Sequence, residues 1–578
     1  MIKKLLANVG EYKKESIITP IYVTGEVALD IIIPLVMAMM IDRGVEKGDT
    51  GAILMYGALL FICAIIALFF GAMSGRYAAV ASAGFAKNLR DNLFKKVQEF
   101  SFSNIDRFST SSLITRMTTD VTNIQNAYQM IIRLLVRSPL IFIFSLAMAF
   151  KINGDLSIIY LAVVPFLIIG LAIVFYFAHP IFEKVFRIYD RLNNVVQENL
   201  QGIRVVKSYV REDFEDEKFK SVSKDIYKNF SRAQSIVAFN NPVLQFAVYT
   251  CMLLISWLGA KFVVGGTLTT GELISMFTYT MQILMSLNML SMVFVMVIIA
   301  RTSAERVTEV LSEESDLKNN DHPLFDVPNG SVTFKDVCFS YANDPEKLAL
   351  KHADMTIKPG EVIGIVGGTG SSKSTMVQLI PRLYDATEGI VEVGGHDVRE
   401  YDLKTLRDQV SMVLQNNVLF TGTIKENLRW GNEDATDEEL IRVCKIAQAD
   451  GFIQEFPDKY DTMISQGGNN VSGGQKQRLC IARALLKQPK ILIMDDSTSA
   501  VDTKTDRLIR EGMRQEIPGT TTFVIGQRVS SVQDSDRIVV MDKGRINAIG
   551  THDELLATNP IYQEVYESQQ KGFGEDDA

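Results

Sequence analysis

The sequence predicts two folds in series. The first is an all-α bundle of six membrane-crossing helices with long cytoplasmic helical extensions. The second is an α/β domain built on a strand, a glycine-rich turn and a helix. Three observations carry this: six long apolar stretches before residue 300, a short apolar run at 362–366 that leads into Gly367-Gly-Thr-Gly-Ser-Ser-Lys-Ser-Thr375, and apolar strands that alternate with helical stretches after residue 331. The chain has 578 residues, 47% of them hydrophobic, so two or three domains are expected, with the apolar residues concentrated in the first part. A net charge of −8 without a dominant basic stripe excludes nucleic acid as a partner. Cys63, Cys251, Cys338, Cys444 and Cys480 have neither metal nor disulfide spacing and read as small apolar residues.

The apolar stretches are 17–41, 52–73, 134–150, 156–177, 242–264 and 273–299. A bilayer core takes about 20 apolar residues in a helix, so each stretch is a span, and the last is long enough to tilt or project. Met1-Ile-Lys-Lys4 resembles a signal-peptide head, but the run that follows is too long and lacks a small-residue cleavage site, so it reads as a retained first span. The connections 42–51, 151–155 and 265–272 are short, whereas 76–133 and 178–241 are long, charged and helical in pattern. The first long one holds Arg76, Lys87, Arg90, Lys95, Lys96, Arg107, Arg116 and Arg133 against Asp91, Glu99, Asp106 and Asp120. Positive residues stay inside, which places the N-terminus and both long segments in the cytoplasm. An even number of spans returns the chain there, as a multi-pass protein of the cell membrane. Both long segments break midway, at 102–113 and 198–209, where a Ser/Thr cluster and Gly202 act as caps or turns. A short helix is expected at each tip.

Ionisable residues inside spans mark function by default, because charge in lipid is costly. Glu26 and Asp30 share one face of the first span at i,i+4, and Arg133 and Arg137 do the same at the cytoplasmic end of the third. Glu26 and Asp30 are therefore candidates to line a substrate cavity for cationic or amphipathic cargo. The rival is a structural ion pair or snorkelling at the outer end.

The glycine-rich turn has the order strand, phosphate loop, helix. Backbone N–H groups of Gly367, Gly368, Thr369, Gly370, Ser371 and Ser372 would face an anion, and the helix N-terminus adds a positive dipole end. Lys373 would reach the terminal phosphates and the Ser374 hydroxyl would bind Mg²⁺. Ser372 stands where the pattern Gly-x-x-x-x-Gly-Lys-Ser/Thr has its second Gly. Upstream, 301–311 continues a helix and 312–330 turns polar, with Asn319, Asn320, Pro323 and Pro328. The expected organisation is a membrane domain at 1–311, a linker at 312–330, an α/β domain at 331–568 and a disordered acidic tail at 569–578. Strands are expected at 332–339, 361–366, 390–393, 410–414, 491–494, 522–525 and 538–541.

Further motifs follow in order. Tyr341 comes after the first strand, and Gln415 ends the strand 410–414. Val471-Ser-Gly-Gly-Gln475 precedes an amphipathic helix. Ile491-Leu-Ile-Met-Asp495-Asp496 is an apolar strand ending in carboxylates, and Ser499-Ala-Val-Asp502 comes next. In order and spacing this set resembles the ATP-binding cassette of ABC transporters. The six spans with two long cytoplasmic extensions resemble the exporter-type half-transporter of the multidrug-exporter kind, so the resemblance covers essentially the whole chain. It implies an α/β P-loop nucleotide-binding domain with a helical signature subdomain. It implies that Tyr341 stacks on adenine, that the loop through Thr375 holds the phosphates of ATP, and that Ser374, Gln415 and Asp495 hold Mg²⁺, the last through water. Two cassettes of this family close head to tail, so Ser472, Gly473 and Gly474 would meet the γ-phosphate of ATP held by a partner, and Gln475 and Asp502 are further cofactor-binding candidates.

Two catalytic positions depart from the family pattern. Asp496 stands where a Glu is usual, and Gln527 where a His is usual. Asp is one methylene shorter, and a misplacement on the order of 1 Å costs about 10²-fold in rate. Gln hydrogen-bonds but has no titratable ring. Ser372 is a third departure in the same site, while the signature is undamaged. The expected protein is thus one half of a heterodimeric exporter that couples ATP hydrolysis to export of small amphipathic or lipid-like compounds. Its own site would hydrolyse weakly, and its signature would complete the site of a second half-transporter chain with the usual Glu and His. The alternatives are a homodimeric exporter with slow, competent sites and a non-transporting ATP-gated regulator. The spans exclude a soluble ATPase, and the fusion of spans and cassette disfavours an importer.

Overall fold

The computed structural model describes residues 1–342, 344–496 and 500–574. The chain divides into two compact units: Met1–Gln98 with Thr110–Glu313, and Glu99–Ser109 with Glu314–Ala578. In chain order the principal helices are α1 (Lys13–Met40), α2 (Thr50–Gln98), α3 (Phe102–Arg107), α4 (Val121–Ile152), α5 (Gly154–Gln201), α6 (Ile203–Ser208), α7 (Glu212–Ala238), α8 (Asn240–Val264), α9 (Thr270–Ser312), α10 (Lys373–Gln378), α11 (Gly473–Leu486), α12 (Thr503–Glu516) and α13 (Pro560–Gly574). Of these, α3 and α10–α13 belong to the second unit.

The first unit is all helix, as expected. Among the described residues six helical stretches are long and apolar enough to cross a membrane. Helices α2 and α5 have 49 and 48 residues. At 1.5 Å per residue each rises about 70 Å against about 30 Å of hydrocarbon, so the spans run on as extensions. Leu54, Phe61 and Leu68 on α2 are 75%, 68% and 72% exposed, as side chains facing lipid would be. Helix α1 packs on α2, α4 and α9. Pro34 lies inside α1 and has no N–H, which leaves the Asp30 carbonyl without its helical donor. Gln282 of α9 fills that vacancy, donating Nε2–H to Asp30 O at 3.0 Å. Ser275 and Tyr279 reach the Pro34 and Ile31 carbonyls at 2.7 and 2.8 Å. Gly202 ends α5 and the tip helix α6 follows it, at the break the sequence marks. All five cysteines are free and buried.

The second unit contains strands β1 (Val332–Phe339), β2 (Leu350–Ile357), β3 (Val362–Gly367), β4 (Glu388–Val393), β5 (Val410–Val413), β6 (Ile491–Asp495), β7 (Thr521–Ile525), β8 (Arg537–Asp542) and β9 (Arg545–Gly550). The order β9-β8-β3-β7-β6-β5 forms the core sheet, parallel except for β9. Strands β6 and β7 in its interior are buried at every residue, as strands covered on both faces are. A smaller antiparallel sheet has β1 between β2 and β4. Helices Ile424–Arg429, Asp437–Ile446, Asp450–Glu455 and α11 share a second apolar core, the helical subdomain.

Two of these nine strands escape the sequence reading. Both β2, Leu-Lys-His-Ala-Asp-Met-Thr-Ile, and β9, Arg-Ile-Asn-Ala-Ile-Gly, mix polar residues into short runs, and their pairing with β1 and β8 decides them. Part of the expected linker is also pinned down: Leu324 N donates to Glu400 O at 2.8 Å, and Val327 is buried. Helix α13 runs on to Gly574, through the first residues of the stretch expected as a tail. Gln569 holds that helix in place, accepting from Val529 N and donating to Gln527 O, both at 2.8 Å. Residues 575–578 lie outside the described residues.

Candidate functional site

The parallel register of the core sheet assembles the site. Strand β7 lies between β3 and β6, with Ile525 beside both Ile365 and Asp495. The C-terminal ends of the three strands therefore emerge together, where ligands bind in sheets of this kind. From β3 comes the phosphate loop, from β6 the pair Asp495 and Asp496, and from β7 Gln527. Asp496 N donates to Ile525 O at 3.1 Å, and Gly526 N to Ile365 O at 3.2 Å.

The loop needs small residues for local reasons. A Cβ at Gly367 would sit 2.3 Å from the Met541 carbonyl oxygen. Gly370 has φ +80° and Ser372 has φ +70°, so the residue before Lys373 is left-handed. Ser372 holds a conformation that costs a non-glycine residue about 1 kcal/mol. Its hydroxyl offsets part of this by donating to Ala349 O at 2.7 Å. Lys373 begins α10 and donates Nζ–H to the Gly367 and Gly368 carbonyls at 2.8 and 2.9 Å. Burial pushes its pKa down, against the charges of Asp495 and Asp496.

Ser374 Oγ donates to Asp495 Oδ1 at 2.9 Å. Gln527 Nε2 donates to Asp496 Oδ2 at 2.8 Å. Burial pushes the Asp495 carboxyl up; the Ser374 bond and Lys373 oppose this, and the Asp496 charge adds to it. Burial also pushes Asp496 up, against a Gln415 hydrogen bond, the Lys373 charge, the Gln527 hydrogen bond and the Arg528 charge. Hydroxyl, carboxylate and carboxamide oxygens meet here, the hard donors that suit Mg²⁺. Tyr341 is 54% exposed, and its hydroxyl is 3.0 Å from Thr375 Oγ1, which joins it to the same site.

The signature residues form a separate cluster. Ser472 caps α11: its hydroxyl accepts from Gln475 N at 3.2 Å, and the Gln475 side chain accepts from Ser472 N at 2.9 Å. Gly473 and Gly474 open the helix beside Ala500, and a Cβ on Gly474 would lie 2.8 Å from Ala500 O. Asp502 caps α12 by accepting from Thr505 N at 2.9 Å. Ser499 lies outside the described residues.

Glu26 and Asp30 do share a face, and Arg137 closes them. Its guanidinium reaches Glu26 Oε1 at 2.8 Å and Asp30 Oδ2 at 3.0 Å. Glu26 is 8% exposed and also accepts from Ser74 Oγ at 3.3 Å. An ion pair at this place is the arrangement that the sequence offered as the rival to a cavity role. The sequence reading named Arg137 without joining it to these carboxylates, because the join runs between two helices.

Residues 17–287 match the family described as the ABC transporter transmembrane region, and residues 350–499 the family described as ABC transporter. The chain is 34% identical over 568 residues to the uncharacterized ABC transporter ATP-binding protein YfiB of Bacillus subtilis, covering 98% of each chain. It is 33% identical over 521 residues to the ATP-dependent lipid A-core flippase of Desulfotalea psychrophila, covering 87% of this chain and 89% of that one. A bacterial Atm1-family ABC exporter solved with ATP bound has the same fold, with a TM-score of 0.81 at 24% identity over 96% of this chain and 98% of that one. With relatives spanning nearly its whole length, the chain belongs to the ABC transporters, as an exporter-type half-transporter: a multi-pass membrane protein whose cytoplasmic ATP-binding domain couples ATP hydrolysis to transport.

Proposed function

We propose that this chain is one half of a heterodimeric exporter of small amphipathic or lipid-like compounds, and that its own ATP site holds nucleotide but hydrolyses it weakly. The observation that carries this reading is the 2.8 Å hydrogen bond from Gln527 Nε2 to Asp496 Oδ2. Hydrolysis needs a group that orients and deprotonates water and a group that answers the charge on the γ-phosphate. Asp496 is a short carboxylate already engaged by Gln527 and Gln415, so fewer lone pairs remain for water. Gln527 donates through an amide and cannot carry a proton.

The remaining parts of the site suit binding. Tyr341 offers a ring face to adenine. The amides of 367–375 and Lys373 hold the phosphates. Ser374, Gln415 and Asp495 would hold Mg²⁺, which when bound neutralises charge on the transferring phosphoryl group. Ser472, Gly473, Gly474 and Gln475, with Asp502, complete the site of a partner chain that carries Glu and His. ATP binding closes the two cassettes, and the tips 102–107 and 203–208 pass that motion to the spans. The relative named for flipping lipid A core supports a lipid-like cargo.

The test is ATP binding and turnover by the chain purified alone in lipid. Binding with turnover about 10²-fold below that of an Asp496→Glu, Gln527→His double variant is expected. Robust, vanadate-sensitive turnover by the unaltered chain alone would make a homodimer the working unit. ATP binding without cargo movement in vesicles, even with a partner present, would make the protein a regulator.

A further inference from the structure

One side chain in the second unit, Tyr384, touches both the helix α3 and Tyr341. Helix α3 has six residues, too few to be stable alone. Its start is fixed by Ser101 and Asn104, each side chain accepting from the other's backbone N–H. Asn104 is 2% exposed and donates to Glu314 O at 3.2 Å. Ser103 Oγ donates to Asp316 Oδ2 at 2.7 Å, and Tyr384 adds a further hold on α3. Its hydroxyl donates to Asp106 Oδ2 at 2.7 Å, and its ring meets Phe102 edge-on with centroids 6.0 Å apart. Burial and the Asp106 charge both raise the Tyr384 pKa, so the hydroxyl keeps its proton and remains the donor. The same ring meets Tyr341 at 5.4 Å and 87°. Tyr341 in turn bonds Thr375 of the phosphate-loop helix.

We propose that Tyr384 is a positioning residue that reports a base stacked on Tyr341 to the tip helix α3, so that the tip distinguishes a nucleoside triphosphate from a bare triphosphate. The proposal rests on Tyr341 being the adenine platform. Edge-to-face ring pairs are directional, so a base that fixes the Tyr341 ring also narrows the positions open to Tyr384. Tyr384 holds α3 by both its hydroxyl and its ring, so this restraint arrives at Asp106 and Phe102. The route does not include Gln415 or the carboxylates. It therefore responds to the base, while the catalytic end of the site responds to the γ-phosphate.

The experiment is hydrogen–deuterium exchange of the 102–107 amides in the full chain in lipid, with Mg²⁺·ATP and with Mg²⁺·tripolyphosphate, each at saturation. ATP should slow exchange about 2- to 10-fold more than tripolyphosphate, the range an edge-to-face pair supports. Tyr384→Leu should remove the difference. Tyr384→Phe keeps the ring and loses the Asp106 bond, so exchange should speed up in every state while the ATP increment survives. Tyr341→Ala, at an exposed position, should also remove the increment, and it serves where Tyr384→Leu does not fold. Equal slowing by the two ligands, or an increment that persists in Tyr384→Leu or Tyr341→Ala, overturns the proposal. The platform reading fails separately, taking the proposal with it, if ATP and tripolyphosphate bind with the same Kd before and after Tyr341→Ala.

Discussion

Glu26 and Asp30 in the membrane unit and Asp495 and Asp496 in the ATP-binding unit are both close carboxylate pairs, yet opposite kinds of partner hold them. The first pair is closed by the Arg137 guanidinium at 2.8 and 3.0 Å. Two charge-assisted bonds from one planar fork occupy one oxygen of each carboxylate with a cation. The second pair takes its bonds from neutral groups, Ser374 for Asp495 and Gln527 with Gln415 for Asp496. Neutral donors orient a carboxylate without cancelling it, so its charge remains available to a cation. The nature of the partner, more than the number of carboxylates, sets the two pairs apart.

The largest expected effect breaks the membrane pair. Arg137→Leu leaves Glu26 buried without its counter-charge and should destabilise the membrane unit by about 3–5 kcal/mol. Thermal unfolding in detergent or lipid measures this, and adding Glu26→Gln and Asp30→Asn to the same variant should recover most of the loss. If Glu26→Gln with Asp30→Asn instead abolishes transport while stability holds, the pair belongs to the cargo path.

In the ATP site, Asp496→Glu with Gln527→His should raise turnover about 10²-fold. Asp495→Asn should remove the Mg²⁺ dependence of ATP affinity and leave the tip helix α3 folded. Isothermal titration with and without Mg²⁺ checks this second outcome.

A pH series sharpens the contrast. Burial raises the pKa of both Asp495 and Asp496 above the ordinary 3.8. The folded nucleotide-free domain thus holds these protons to higher pH than the unfolded chain does. Their contribution to its stability is full below about pH 3.8 and is lost as pH rises through the folded-state values. Binding of Mg²⁺·ATP runs the other way, since it needs both charges, and should weaken as pH falls through that window. Thermal shifts with and without Mg²⁺·ATP should diverge toward neutral pH and converge in acid, and Asp495→Asn should flatten the divergence.

The smallest effect is expected at Ser372→Gly. Glycine relieves a left-handed backbone but gives up the Ala349 bond and frees the unfolded chain, so stability should change by less than about 1 kcal/mol. Urea unfolding measures it. A larger gain would mean that the left-handed backbone at Ser372 costs more than its hydroxyl bond returns.

Much of this was legible in the sequence. Spans announce themselves by length and hydropathy, and the phosphate loop and signature are contiguous, so their caps and turns are written in neighbouring residues. The tip breaks at 102–113 and Gly202 were visible for the same reason. Strands β2 and β9 were not, because their polar residues mask the alternation and only pairing settles them. The role of Arg137 was hidden too: it sits 111 and 107 positions from Glu26 and Asp30, and periodicity along one helix says nothing of what faces it from another.

The sequence by itself determined which chemistry the chain carries: six spans, one ATP cassette, an intact Ser-Gly-Gly-Gln start to α11, and Asp496 and Gln527 where the family pattern has Glu and His. The tertiary structure decided which groups meet. Parallel pairing of β6 and β7 brings Gln527 onto Asp496 across 31 residues, and docking of α3 brings Asp106 onto Tyr384 across 278. Motifs and periods are local properties of a chain, whereas a hydrogen bond between distant residues exists only where sheet register and helix packing place the two groups within about 3 Å.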